Sequence, residues 1–359
     1  MKYDELLEVN NIKLTKQYIQ SLTKEQRLEL IEPIFKILRE SGFVYPDWDE
    51  EYLRSEYERL CDVKLDIDCL ELYNNSSIAT DVCKYFCKNF YLSTEKGKKN
   101  IIDVFNDDDL LKRTIKNRLG IDWIDADERG PGINEAFHLT YKMLCFQGPR
   151  SQRLVPAISM FKPEIAKYVC ERYSQPGDVV GDYSCGWGGR MLGAMSCGRK
   201  YIGTDPLTAQ PELQNMADFF GFSKENCKLI KSGSEDYRGE ENSVDLYWSS
   251  PPYVNEKKNK KTEVQEWYSD DYSQAYAKGN EYFFNIYWKQ TLENVKFMLK
   301  PGKYFGLNIT EKHEKMISMA KEYFGEPIEI IRLRTIRSHL SKTAGIEKFE
   351  PIFMFKNEK

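Results

Sequence analysis

The sequence has no C-x-x-C pair, only three histidines (His138, His313 and His339) and no run of 18 apolar residues. Each absence removes a class of protein. Nine cysteines, an odd number, without the spacing of a disulfide framework or a zinc site, argue against both. The nearest pair, Cys83 and Cys87, is four residues apart, the spacing of one helical face. No histidine lies beside two cysteines or in an H-E-x-x-H pattern, so no metal is expected. The lack of a long apolar run leaves no expected membrane span. The opening MKYDELLEVNNIKL has no apolar core of the kind a secretory leader carries. Reduced thiols then suit a cytoplasmic protein. Positive charge is not in excess either: 52 Lys and Arg stand against 56 Asp and Glu, a net of -4. Contact with nucleic-acid phosphates therefore has to come from local basic patches.

What is present is a globular chain of 359 residues, 41% hydrophobic and 30% charged, long enough for two domains. Residues 1 to about 118 read as helical. Thr23 and Gln26 form a capping-box pattern, and Leu28, Ile31, Phe35 and Leu38 recur at helical spacing up to Gly42. Pro33 inside that pattern predicts a kink or a split into two helices. Asp49 opens another helix with Leu53, Tyr57 and Leu60, and amphipathic stretches follow at 78–90 and 107–118. The Gly- and Pro-rich segment 126–137 reads as a connector, so the expected domains are 1–150, helical, and 151–359. The first shows no chemistry of its own and is a candidate for target recognition or for binding a protein partner.

After residue 155 short β-rich runs alternate with helical runs. Strands are expected at 179–181, 201–203, 228–230, 244–248 and 304–309, with helices filling the gaps. Such alternation predicts βαβ units and a mostly parallel sheet. Runs at 328–336 and 349–355, with no helix between them, predict an antiparallel terminal hairpin. The expected fold is α/β, a Rossmann-like sheet of seven strands.

The first chemical signal is GDVVGDYSCGWGGR, residues 177–190. A β run ends at Asp182, and the loop Tyr183, Ser184, Cys185, Gly186, Trp187, Gly188 leads into a helix. Glycines there permit a tight turn and close approach of a ligand to backbone. The dinucleotide fingerprint is absent, because its third glycine would fall on Met191. Asp205, followed by Pro206, ends the next strand 23 residues after Asp182, where an acid can hold a ribose diol. Glu235 or Asp236, after the third strand, could accept from an adenine amino group.

The second signal is VDLYWSSPPYVNEKKNKK, residues 244–261, in which Ser250-Pro251-Pro252-Tyr253 follows a buried β run. This resembles the catalytic motif of the S-adenosylmethionine-dependent amino-methyltransferases of DNA, commonly Asp/Asn/Ser-Pro-Pro-aromatic. The glycine loop resembles that family's cofactor motif, and Lys162-Pro163 its preceding Lys-Pro. The resemblance covers roughly residues 155–310. It departs at Asp182-Tyr183-Ser184, where Asp-Pro-Phe is usual, which leaves Tyr183 or Trp187 to pack on the cofactor.

The resemblance implies transfer of a methyl group from S-adenosylmethionine to an exocyclic amino nitrogen, N4 of cytosine or N6 of adenine. In the family the first motif side chain and the first proline's carbonyl accept from the two N–H groups and free the nitrogen lone pair; here these are Ser250 and Pro251. Pro252 stiffens the corner, and Tyr253 stacks on a base that has left the duplex. The Ser form leans towards N4-cytosine enzymes. RNA or protein amino-group methylation is a first alternative, although those relatives prefer Asn at the first position. An inactive DNA-binding module on the same fold is a second. For the DNA backbone the candidates are Lys257, Lys258, Lys260 and Lys261 after the motif and Arg332, Arg334, Arg337 and Lys342 in the terminal hairpin.

Overall fold

The computed structural model of the chain describes residues 4–94, 99–121, 137, 139–155, 160–252, 279–335 and 348–358. They form two compact units. One comprises the described residues of 1–47 and 91–158, the other those of 48–90, 159–337 and 345–359. The division thus differs from a single cut near residue 150, because residues 48–90 belong with the sheet.

The first unit opens with a small antiparallel pair, β1 (Glu8–Val9) and β2 (Ile12–Lys13). Asn10 and Asn11 join them with φ of 51° and 62°, the left-handed pair that a two-residue hairpin turn requires. Helices follow. Thr23 caps Lys24–Glu29 through the expected reciprocal box with Gln26. The helical pattern then splits, as Pro33 predicts: Ile31–Ser41 is a separate helix with Pro33 in its first turn, where a missing N–H costs nothing.

The second unit is built on eight strands, one more than the expected seven. β3 (Glu71–Tyr73) is the addition; β4 (Val179–Asp182), β5 (Lys200–Thr204), β6 (Cys227–Ile230), β7 (Val244–Ser249), β8 (Leu299–Asn308), β9 (Glu329–Thr335) and β10 (Lys348–Lys356) are the strands expected. Their order is β3-β9-β10-β8-β7-β4-β5-β6. β4 to β8 pair in parallel, β10 runs antiparallel to both neighbours, and β3 joins β9 in parallel. This is a Rossmann-like, mostly parallel sheet closed by an antiparallel strand pair.

The connections position the site. From β4 the chain moves outward through β5 to β6, then returns to the other side of β4 to lay down β7 and β8. The order therefore reverses between β4 and β7. In open α/β sheets the crevice outside the carboxyl ends at such a reversal is where ligands bind. Beneath it, one sheet face is sealed by Phe283, Trp288, Leu292, Phe305, Phe324 and Phe355, all buried. Residues 48–90 are fixed to this unit by a buried cation: Lys167 donates from Nζ to Leu60 O (2.9 Å), Cys61 O (2.6 Å) and Val63 O (2.9 Å). Those carbonyls end the helix Glu50–Asp62, the terminus at which positive charge is favoured.

Candidate active site

Asp182, the last residue of β4, is completely buried. Its Oδ1 accepts from the Ser184 amide (3.1 Å) and from Ser249 Oγ (2.6 Å). Its Oδ2 accepts from Arg190 Nε (2.7 Å) and Tyr201 OH (2.6 Å). A carboxylate has about four lone-pair sites, so this one is fully engaged by the protein. Burial works against the charge on Arg190, and the adjacent carboxylate outweighs it and raises the pKa. A buried charge kept in this way needs both a partner and full hydrogen bonding. Asp182, read from sequence as a cofactor ligand, instead ties four elements together: its own loop, the following helix, β5 and β7.

The loop after Asp182 turns twice through the left-handed region, at Gly186 (φ 53°) and Gly188 (φ 79°). The two glycines have different uses. A Cβ on Gly188 would lie 2.7 Å from Leu213, so that site is packed. A Cβ on Gly186 would meet nothing nearer than Ser184 O at 3.7 Å, which leaves backbone open to a ligand. The Gly186 amide donates to Asp205 Oδ2 (3.2 Å), while Asp205 Oδ1 accepts from the Leu207 (2.8 Å) and Thr208 (2.9 Å) amides. Burial pushes the Asp205 carboxyl up, opposed by these backbone donors. The Thr208 hydroxyl also lies against this carboxylate, and Oδ2 stands beside the Gly186 opening.

The other expected cofactor residues divide. Ser184 closes the turn through Oγ to Tyr183 O (2.7 Å). Cys185 is buried and its amide donates to Thr204 O (3.0 Å). Pro206 is half-buried next to Asp205. Lys162 and Pro163 open the helix Pro163–Tyr173, and burial lowers the Lys162 pKa. Glu235 is buried, its carbonyl accepting from Asn294 Nδ2 (2.9 Å); Asp236 is exposed. The phenol of buried Tyr287 faces Ser184 and Ser234, with Glu235 and Asp205 close enough to help raise its pKa beyond the effect of burial.

Of the two aromatics expected to pack on a cofactor, Tyr183 is engaged elsewhere. Its ring lies among Tyr247, Trp288 and Phe305, and its hydroxyl donates to Ser249 O (3.2 Å). Trp187 stays half-buried on the loop, edge-on to Phe90 at 5.2 Å and 87°. Cys87 Sγ donates to Trp187 O (3.6 Å), and the Asn89 amide to Glu212 Oε1 (3.1 Å). Residues 87–90 thus back the glycine loop.

β7 brings the second motif to the same place. Ser249 is completely buried, while Ser250 and Pro252 are half-buried and Pro251 is buried. Through Ser249, with its hydroxyl on Asp182 and its carbonyl on Tyr183, the corner and the glycine loop are held side by side. Sequence reading picked Ser250 and passed over Ser249, Arg190, Tyr201, Tyr287, Cys87 and Phe90. For Ser249 a signal existed: successive strand residues point to opposite faces, so only one serine of the pair can face Asp182.

Tyr253, Lys257, Lys258, Lys260, Lys261, Arg337 and Lys342 lie outside the described residues. Arg332 and Arg334 are described and stand on β9, three strands from β7, on the order of 14 Å at ~4.8 Å per strand. Both are engaged at the sheet edge. Arg332 pairs with Glu71 (3.6 Å), and Arg334 with Glu71 (4.0 Å) and Tyr73 OH (3.0 Å). The geometry does not bring these two arginines to the corner.

No protein-family model and no curated protein matches the chain. Among solved structures it is similar to tRNA (m1A58) methyltransferase TrmI from Aquifex aeolicus, at 12% identity over 56% of this chain and 70% of that one, with a TM-score of 0.36. It is similar to a geranyl diphosphate methyltransferase in complex with GPP and sinefungin, at 14% identity over 55% and 78%, with a TM-score of 0.37. The third is TrmN from Thermus thermophilus, at 14% identity over 54% and 48%, with a TM-score of 0.36. At that level the likeness speaks to neither substrate nor site residues.

Proposed function

We propose that the chain is a methyltransferase that binds S-adenosylmethionine and methylates an exocyclic amino group of a base in DNA, N4 of cytosine or N6 of adenine. The observation that carries this reading is the junction of the two motifs. The Ser250-Pro251-Pro252 corner leaves β7 beside the glycine loop of β4, at the point where the strand order reverses.

The residues present fit the cofactor. Gly186 leaves backbone open, Asp205 sets a carboxylate oxygen beside that opening where a ribose hydroxyl would lie, and buried Glu235 follows β6 where an adenine edge would lie. Trp187, braced by Phe90, supplies an aromatic wall. When bound, S-adenosylmethionine supplies an electrophilic methyl group on a sulfonium. The chain's part is to hold the acceptor: Ser250 Oγ and Pro251 O accept from the two amino protons and orient the nitrogen lone pair. No covalent enzyme intermediate is required, so positioning and electrostatics supply the rate. The prolines help, since each fixes φ and keeps the corner in one shape.

Trp187→Ala should weaken S-adenosylhomocysteine binding about tenfold, the ~1.4 kcal/mol expected of a lost aromatic face, as read by calorimetry. Unchanged affinity would remove Trp187 from the site. The reaction itself is tested by incubating the chain with methyl-labelled cofactor and DNA, RNA or protein, then digesting DNA to nucleosides. Labelled N4-methylcytosine or N6-methyladenine is expected. Label confined to RNA or protein would overturn the DNA assignment, and cofactor binding without transfer to any of them would favour a binding module.

A further inference from the structure

The Asp182 cluster has a feature that neither motif explains. It gathers hydroxyl donors from two strands onto one carboxylate, Tyr201 from β5 and Ser249 from β7, at 2.6 Å each. Both donors are buried. They are chemically similar deletions, each removable without cutting a large side chain, yet they reach different places. Tyr201 leads back into the sheet. Ser249 is the residue immediately before the Ser250-Pro251-Pro252 corner, and its carbonyl also accepts from Tyr183, the first residue of the glycine loop. Two bonds therefore cross between the loop and the corner through this one residue. Ser184 O lies 3.5 Å from the same hydroxyl.

We infer that Ser249 is a positioning residue that couples the glycine loop to the catalytic corner, so that the placement of one sets the placement of the other. The inference rests on the methyltransferase reading for its catalytic meaning, and on the hydrogen bonds alone for the coupling. Its physical basis is the burial of both bonds. A buried hydroxyl without its acceptor is costly, and the Asp182 carboxylate has every lone pair engaged, so neither side can relax on its own. Small errors in the relative placement of reacting groups are costly in rate even when binding is intact. Ser249 touches neither reacting atom and acts through Asp182 and Tyr183.

The test compares Ser249→Ala with Tyr201→Phe in the full chain. Each removes one hydroxyl donor from Asp182. A purely structural role predicts equal consequences. Coupling predicts that Ser249→Ala lowers kcat about tenfold or more, with cofactor affinity within about threefold, whereas Tyr201→Phe keeps kcat within about threefold. Ser249→Cys, which retains a weak donor, should fall between wild type and Ser249→Ala, and it serves if the alanine variant does not fold. Amide hydrogen exchange gives a readout independent of activity. Ser249→Ala should speed exchange both in 183–188 and in 247–250, by about tenfold or more, and Tyr201→Phe should leave 247–250 at the wild-type rate. Equal kcat losses in the two variants, or exchange that quickens only in 247–250, would overturn the coupling. If the wild-type chain methylates no acceptor while the exchange pattern holds, the reaction assignment falls and the coupling stands.

Discussion

Ser250→Ala should lower the rate of methyl transfer by about 10²-fold while leaving cofactor affinity unchanged, the size of effect seen when one preorganised polar group is removed from a reacting centre. The structure separates the two serines that make this prediction sharp. Ser249 is buried with its hydroxyl on Asp182, so it is unavailable to a substrate. Ser250 is the first residue past β7, half-buried, at the mouth of the switch point. Deleting its oxygen removes one of two acceptors for the amino group. The Pro251 carbonyl remains, which is why residual activity is expected rather than none. Single-turnover rates and calorimetry on the same preparation check both halves. A rate within threefold of wild type would show that Ser250 does not hold the acceptor.

Asp182→Ala should cost about 3–5 kcal/mol of stability, the range for breaking a buried ion pair by removing one partner. Arg190 would be left buried and uncompensated, only 5% exposed. Tyr201, Ser249 and the Ser184 amide would lose their acceptor as well. At about 2–4 °C per kcal/mol for a unit of this size, the melting temperature should fall on the order of 10 °C. Asp182→Asn should fall less far, because the amide oxygen still accepts. Denaturant unfolding followed by circular dichroism measures the difference. A loss below about 1 kcal/mol would mean that the cluster is more hydrated than its burial indicates. Replacing Asp182 and Arg190 together by apolar residues of similar volume should recover part of the loss, since the penalty comes mainly from the stranded charge.

The sheet was legible because of where its strands lie. β4, β5 and β7 are central and covered on both faces, so their sequences read as apolar runs bounded by turn residues. The two motifs were legible because each follows such a run. β3 was not. It is three residues at the sheet edge, and Glu71–Tyr73 becomes a strand only by pairing with β9, which no local periodicity announces. The hairpin at Asn10-Asn11 falls in a region read as helical, because its strands are two residues each, too short to show alternation. Asp182 looked like a ligand because strand-end acids in such sheets often are. Its engagement with Arg190 and Tyr201 depends on residues 8 and 19 positions away, contacts that only the fold creates. Tyr183 was misplaced for a related reason: the loop turns its ring into the apolar cluster with Trp288 and Phe305. The terminal arginines show how distant a partner can be. Arg332 and Arg334 read as a phosphate-tracking patch, and the partner that engages them, Glu71, lies some 260 residues earlier in the chain.

The central claim is that the glycine loop and the serine–proline corner form one cleft. A structure of the full chain with S-adenosylhomocysteine tests it most directly. The ligand's sulfur is expected to face Ser250 and Pro251, with its ribose at Asp205 and its backbone contacts at Gly186. A sulfur directed away from the Ser250 corner, or a ligand bound elsewhere on the chain, would contradict the claim.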